Sequence, residues 1–240
     1  MASTNSLPLL VDHLSHSLGG RSVISGLCLA LQPGEIVAIV GPSGCGKTTF
    51  LRLCAGLLVP NEGTVASTTE ALGFVFQEPA LLPWRRVAAN ARLLSGGNDA
   101  LVESLLEVSG LSTDRNKWPY QLSGGMQMRL SLVRTLASSP DLVLLDEPFG
   151  ALDQITRYRL QDELLLLHRE RPFAGVLVSH AIDEAVYLAD RVVVMSAAPG
   201  RFVGEFQVPF GRTRDESLRY SGPFTELCGH IAASLKESST

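Results

Sequence analysis

The chain has 240 residues, enough to bury a substantial core in one sizeable α/β domain and too few for two unrelated full domains. Hydrophobic residues make up 45% and charged residues 18% of it, the balance of a folded globular protein, which excludes long disordered stretches. A formal net charge of -4 argues against a general nucleic-acid binder.

Cys28, Cys45, Cys54 and Cys228 show neither metal-type spacing nor the density of a disulfide framework, which fits a reducing compartment. The first eight residues lack a basic segment followed by an apolar one, so no cleaved secretory signal is expected. No run reaches the ~18 uninterrupted apolar residues that a bilayer span needs. Membrane association is therefore expected only through a partner.

In chain order, residues 35–40 read as a short buried strand ending at Gly41, and residues 48–55 as a helix closed by Gly56. The stretch 87–136 reads mostly as helix and suggests an inserted helical subdomain. Its last helix puts Met126, Leu130, Val133 and Ala137 on one core stripe, with Arg129 and Arg134 off it. A second buried strand at 142–145 runs into two acids, and a third at 175–178 into Ser179 and His180. Residues 182–188 suggest another helix and 191–195 another strand. Pro223 opens a final helix to about residue 236, with Phe224, Leu227, Cys228, Ile231 and Leu235 on a docking face. Polar groups thus follow three strands, at the edge where open parallel sheets bind ligands.

The run Gly41-Pro42-Ser43-Gly44-Cys45-Gly46-Lys47-Thr48 satisfies the phosphate-loop pattern and stands between a predicted strand and a predicted helix. Glycines allow backbone N–H groups of residues 43–47 to turn inward, and the helix N-terminus adds positive potential for phosphates. Lys47 would neutralise β- and γ-phosphates, and Thr48 would offer a hydroxyl to Mg²⁺. Pro42 and Cys45 read as rigid or small loop residues. Asp146 and Glu147 follow the second strand, where Asp146 can hold Mg²⁺ through water and Glu147 can orient and polarise an attacking water. Two acids after a strand, taken alone, fit a solvated loop equally well. Leu122-Ser123-Gly124-Gly125 precedes a helix and offers a second phosphate cradle or, equally, an ordinary N-cap. One domain needs only one γ-phosphate cradle, so a two-fold dimer could lay this segment over the glycine loop of its partner.

In order, the chain reads GPSGCGKTT, FVFQEP, QLSGGM, LVLLDEPFGALD and VSHAIDEA. This series resembles the ABC ATPase family over roughly residues 20 to 205. The resemblance implies a P-loop NTPase core, a mixed and mainly parallel sheet with flanking helices and an antiparallel part, carrying the inserted helical subdomain at about 87–136. It implies ATP and Mg²⁺ at the loop that runs from Gly41 through Thr49, sandwiched between two copies of the chain. Gln77 would contact the water or Mg²⁺ and link to the membrane partner. His180 would contact the γ-phosphate, and Asp153 would lie in the loop that passes information between the two sites. Ser123, Gly124 and Gly125 would serve the opposite subunit's nucleotide.

The stretches FQEPALLPW and DEAVYLADR, with Met126 after the two glycines, resemble the branch of nitrate, sulfonate and taurine importers. That implies integral membrane permease subunits as partners, an extracytoplasmic solute-binding protein acting through them, and a place at the cytoplasmic face of the inner membrane. Leu81, Leu82, Trp84 and Arg85 would receive the permease, or would simply form the surface of the helical part. The family's adenine-stacking aromatic falls at Leu18, which implies weaker base stacking. The rival class, a non-transport ABC ATPase acting on nucleic acid or ribosomes, usually carries long insertions or a second cassette, and this chain has neither.

Overall fold

Residues 7–69, 71–150 and 152–237 are described in a computed structural model of the chain. The leader expectation for the first residues, and Ala151 within the LDEPFGALD run, fall outside them. Alternating buried and exposed side chains make β1 (Leu9–Leu18) and β2 (Arg21–Leu31) an antiparallel ladder. β3 (Ile36–Val40) and α1 (Lys47–Cys54) follow, and β4 (Glu62–Ala66) returns to the free edge of β1. This three-stranded antiparallel sheet has the order β2-β1-β4.

The second sheet is built around β3. Its other members are β5 (Leu72–Val75), β6 (Leu142–Asp146), β7 (Ala174–Ser179), β8 (Arg191–Met195) and β9 (Phe202–Gln207), in the order β5-β6-β7-β3-β8-β9. All its pairings are parallel except β8 with β9. β3 is buried on both faces. The pleat sends Ile36, Ala38 and Val40 into one hydrophobic cluster, and Val37 and Ile39 into the other, which also takes α1 and the small sheet. Each such side chain contributes ~1.5–3 kcal/mol of burial, so strands of this kind stiffen the edge at which their last residues stand.

Between β5 and β6 lie α2 (Val87–Ala91), α3 (Asp99–Val108) and α4 (Gly124–Leu136), joined by short 3₁₀ turns. The observed α4 departs from the expected stripe. Arg134 is buried, with a guanidinium N–H donated to the carbonyl of Ala80, while Met126 is only partly buried. The reason is that α4 packs on α2 and α3 on one side and on β5 on another, so burial extends round most of its circumference. Arg129 stays nearer the surface, beside Glu163 at 3.5 Å.

α5 (Gln154–Glu170) and α6 (Ile182–Leu188) flank β7, and α7 (Gly222–Glu237) closes the chain. α7 buries Phe224 and Ile231, with Leu227, Cys228 and Leu235 packed beside them. Among the described residues no helix is long and apolar enough to cross a membrane.

Candidate nucleotide site

Parallel register brings three strand ends to one edge. Val40 pairs with Ser179, and Asp146 with Val178, so the loop after β3, the two acids of β6 and His180 after β7 become neighbours. At the N-cap of α1, Gly46 has φ 106°, and a Cβ there would lie 2.6 Å from Ile24 Cγ2. Only glycine fits that position. No side chain caps α1, which leaves its first-turn amides as donors for an anion. The result is a cavity of about 330 Å³ lined by Val23, Ser43, Gly44, Gly46, Lys47, Thr48, Thr49, Gln77 and Glu147, within the size range of small-ligand pockets.

Inside it, Lys47 is 5% exposed; its Nζ donates to the carbonyls of Gly41 at 2.9 Å and Pro42 at 3.1 Å and stands 3.7 Å from Glu147 Oε1. Thr48 Oγ1 donates to Asp146 Oδ1 at 2.8 Å. Burial pushes the Asp146 carboxyl above the usual range; the Thr48 hydroxyl works against that rise and the charge of Glu147 adds to it. Glu147 has φ 43°, a left-handed conformation that costs a non-glycine residue about 1 kcal/mol or more. Its amide donates to Val178 O at 3.1 Å, and the turn presents the carboxylate to Lys47 on one side and to His180 Nδ1, 3.0 Å from Oε2, on the other. Cys45 is buried under the loop.

A carboxylate held between a lysine and a histidine beside a phosphate cradle can accept a proton from water or orient it. Thr48 and Asp146 supply adjacent hard oxygens, and Gln77 brings an amide to the same cavity. A divalent cation would relieve the penalty that burial places on ionised Asp146, so this donor set fits Mg²⁺.

Ser123, Gly124, Gly125 and Asp153 do not line this cavity. Ser123 caps α4, its Oγ accepting from the amide of Met126 at 3.3 Å. Gly125 abuts α5, where an added Cβ would meet Thr156 Cγ2 at 2.5 Å. Asp153 caps α5 by accepting from the amide of Thr156 at 3.0 Å, and the bonds from Thr156 hold its carboxyl below the usual range. The two segments are thus joined through Thr156. Leu18, at the end of β1, is 52% exposed and outside the cavity; Val23 lines it from the same hairpin.

Two groups had no signal in the sequence. Val23 reaches the cavity because β2 packs on Gly46, where an added Cβ would lie 3.2 Å from Val23 Cγ1. Asn90, fully buried, clamps the segment before α2: its Nδ2 donates to Arg85 O at 2.7 Å and Leu82 O at 3.1 Å, and its Oδ1 accepts from the Leu82 amide at 2.9 Å. Trp84, inside that clamped segment, is 70% exposed.

A family profile described as ABC transporter matches residues 24–150, a span that contains the loop, Gln77, the Ser123 segment and both acids. The chain belongs to the ABC transporter family. An aliphatic sulfonates import ATP-binding protein of Burkholderia cenocepacia (strain HI2424) is 46% identical over 220 residues, 87% of this chain and 81% of that protein. A protein of the same description from Pseudomonas aeruginosa (strain UCBPP-PA14) is 44% identical over 212 residues, 82% of this chain and 85% of its own. The dimeric structure of the bacterial ABC transporter cassette MJ0796 superposes with a TM-score of 0.73 at 27% identity, covering 85% of this chain and all of that one. The Clostridium perfringens protein cbiO1, part of the ABC transporter complex cbiONQ, superposes at 0.77 over 95% of this chain and 99% of its own; at 22% identity it speaks for the fold.

Proposed function

We propose that this ABC ATPase powers uptake of a small organic sulfonate or a related anion, with two copies of the chain closing over two Mg·ATP beneath a pair of permease subunits. The observation that carries the catalytic part is the meeting of Lys47, Glu147 and His180 next to the Thr48–Asp146 pair at one edge of the sheet. In this reading the loop amides of residues 41–49 and Lys47 bind the phosphates of ATP. Glu147 receives a proton from the attacking water, and His180 holds Glu147 in place and meets the γ-phosphate. Thr48, Asp146 and Gln77 would hold Mg²⁺, which would supply charge neutralisation for the phosphates.

Ser123, Gly124 and Gly125 serve the nucleotide of the opposite copy, and Asp153 relays between the two sites through Thr156. Closure does mechanical work on the permease, received at Leu81, Leu82, Trp84 and Arg85, and hydrolysis resets the dimer. Trp84 supports this docking role, because a large exposed aromatic on a clamped segment suits the centre of an interface. A solute-binding protein outside the membrane selects the cargo. The sulfonate assignment rests on the names of the relatives, since cargo never touches this subunit; ligand binding by the cognate solute-binding protein tests it, and preference for an unrelated solute refutes it.

Glu147→Gln tests the catalytic reading. Phosphate release should fall by about 10²- to 10³-fold, while ATP binding persists and the variant accumulates as a dimer on size exclusion with ATP. Near-parental turnover removes Glu147 from the proton-accepting role.

A further inference from the structure

His180 is followed by a buried polar chain that the nucleotide chemistry leaves unexplained. Ser179 Oγ accepts from the amide of Ala181 at 3.0 Å, so its hydroxyl braces the backbone on both sides of His180. Glu184, 3% exposed in the first turn of α6 and four residues past His180, feels that hydroxyl, which draws its carboxyl back down against burial. Glu184 Oε2 accepts from Gln161 Nε2 at 3.2 Å; Gln161, on α5, is 1% exposed. Gln161 Oε1 accepts in turn from Arg219 Nη1 at 3.0 Å. Arg219 belongs to the 3₁₀ segment Glu216–Tyr220, 58 residues past Gln161 in sequence.

The Arg219 side chain is 5% exposed, and both of its terminal nitrogens are engaged. Its guanidinium lies 3.2 Å from the ring centroid of Tyr187 and 4.2 Å from that of Tyr158, and its Nη2 is 3.0 Å from Asp162 Oδ1. The Tyr187 hydroxyl donates to the same Asp162 oxygen at 2.7 Å. Burying a guanidinium to dock a terminal segment is costly where an aliphatic side chain would serve, unless its bonds specify an arrangement. Here the bond from Nη1 to Gln161 leads on through Glu184 toward the backbone of His180, while the others hold the guanidinium in place. Burial also raises the Glu184 carboxyl to about 7, with Ser179, the Arg157 charge and Gln161 pulling it down and Asp183 pushing it up. That group is therefore sensitive to losing any one partner.

We propose that Arg219 is a positioning residue for hydrolysis: through Gln161, Glu184 and Ser179 it sets the placement of His180 against Glu147, so that docking of the segment before α7 is a condition of turnover. This rests on the reading of His180 and Glu147 given under Proposed function. It gives the C-terminal part of the chain a task in the cycle, because whatever lifts residues 216–220 away would slow hydrolysis without touching the nucleotide.

The test is a double-mutant cycle on the intact chain, with ATPase kinetics and thermal melting for each variant. His180→Ala should lower kcat by at least about tenfold. Arg219→Ala should lower kcat about five- to tenfold with KM for ATP within about twofold, assayed well below its lowered melting temperature, and Arg219→Lys should restore part of it. In the His180→Ala background, Arg219→Ala should have no further effect on kcat. If Arg219→Ala does not fold, Gln161→Met breaks the same chain in its middle while leaving the cation and both rings in place, and should give the same kcat-only loss. Additive losses in the two backgrounds, or no loss of kcat from both Arg219→Ala and Gln161→Met, overturn the proposal while His180 keeps its role. A fully active His180→Ala overturns the reading on which it rests.

Discussion

The glycine loop and the Ser123 segment are both helix N-termini suited to phosphate, and they are built in opposite ways. α1 begins on a left-handed glycine with no side-chain cap, and its lysine, threonine and facing acids already bond one another inside a cavity. α4 begins on a serine that caps its own helix, at an exposed corner, with no facing acid among its hydrogen-bond partners. The first is complete within one chain. The second has its rigidity from Gly125 against Thr156 and lacks the rest of a site. The difference teaches that a helix N-terminus lacking facing groups in its own chain is of use to a phosphate only if a second surface meets it, as a two-fold assembly would allow.

The sharpest way to break the contrast is Lys47→Ala. Removing the one buried cation of the cavity should weaken ATP binding to the isolated chain by about 10²-fold, measured with a fluorescent nucleotide. Ser123→Arg should do the reverse: binding to one chain stays within about twofold, while ATP-driven dimer formation and turnover fall by about tenfold or more. If Ser123→Arg weakens binding by the single chain, the segment is not reserved for a partner.

Glu184→Gln probes the buried chain behind His180 by pH. Because the folded carboxyl stands near 7 against an ordinary 4.5, its contribution to stability is full below about 4.5 and is lost as pH rises through about 7. The variant, having no proton to lose, should gain on the parent by about 2 kcal/mol between pH 5 and pH 8, read from urea midpoints. An equal pH slope in both chains would count against a raised Glu184. The smallest effect is expected at Leu18. Leu18→Tyr should improve ATP over GTP by about three- to tenfold through base stacking, and an unaltered ratio would place adenine elsewhere.

The loop, both acids and His180 were legible because each follows a short, wholly apolar strand, and parallel register then fixes their convergence. The small sheet was harder to read. β1 carries register shifts on both of its edges, with His13 at φ 47°, so its alternation of buried and exposed residues slips at Asp12 and His13. Arg134 looked like a surface residue because one helical stripe was taken as the buried face, whereas α4 has packed neighbours on several sides. Asn90 and Arg219 could not be read at all. Their roles come from carbonyls and side chains that meet them only after folding, and nothing in their immediate sequence marks them.

The Asn90 clamp has a mechanical consequence. A surface loop normally bends under load, and work applied at its tip is dissipated in local rearrangement. Here the carbonyls and amide on either side of Trp84 are pinned to one buried amide side chain, itself seated in α2. The segment is therefore stiff, and a displacement imposed on Trp84 travels into α2 and the helices behind it with little loss of stroke. Replacing Asn90 would change a gear ratio rather than a contact.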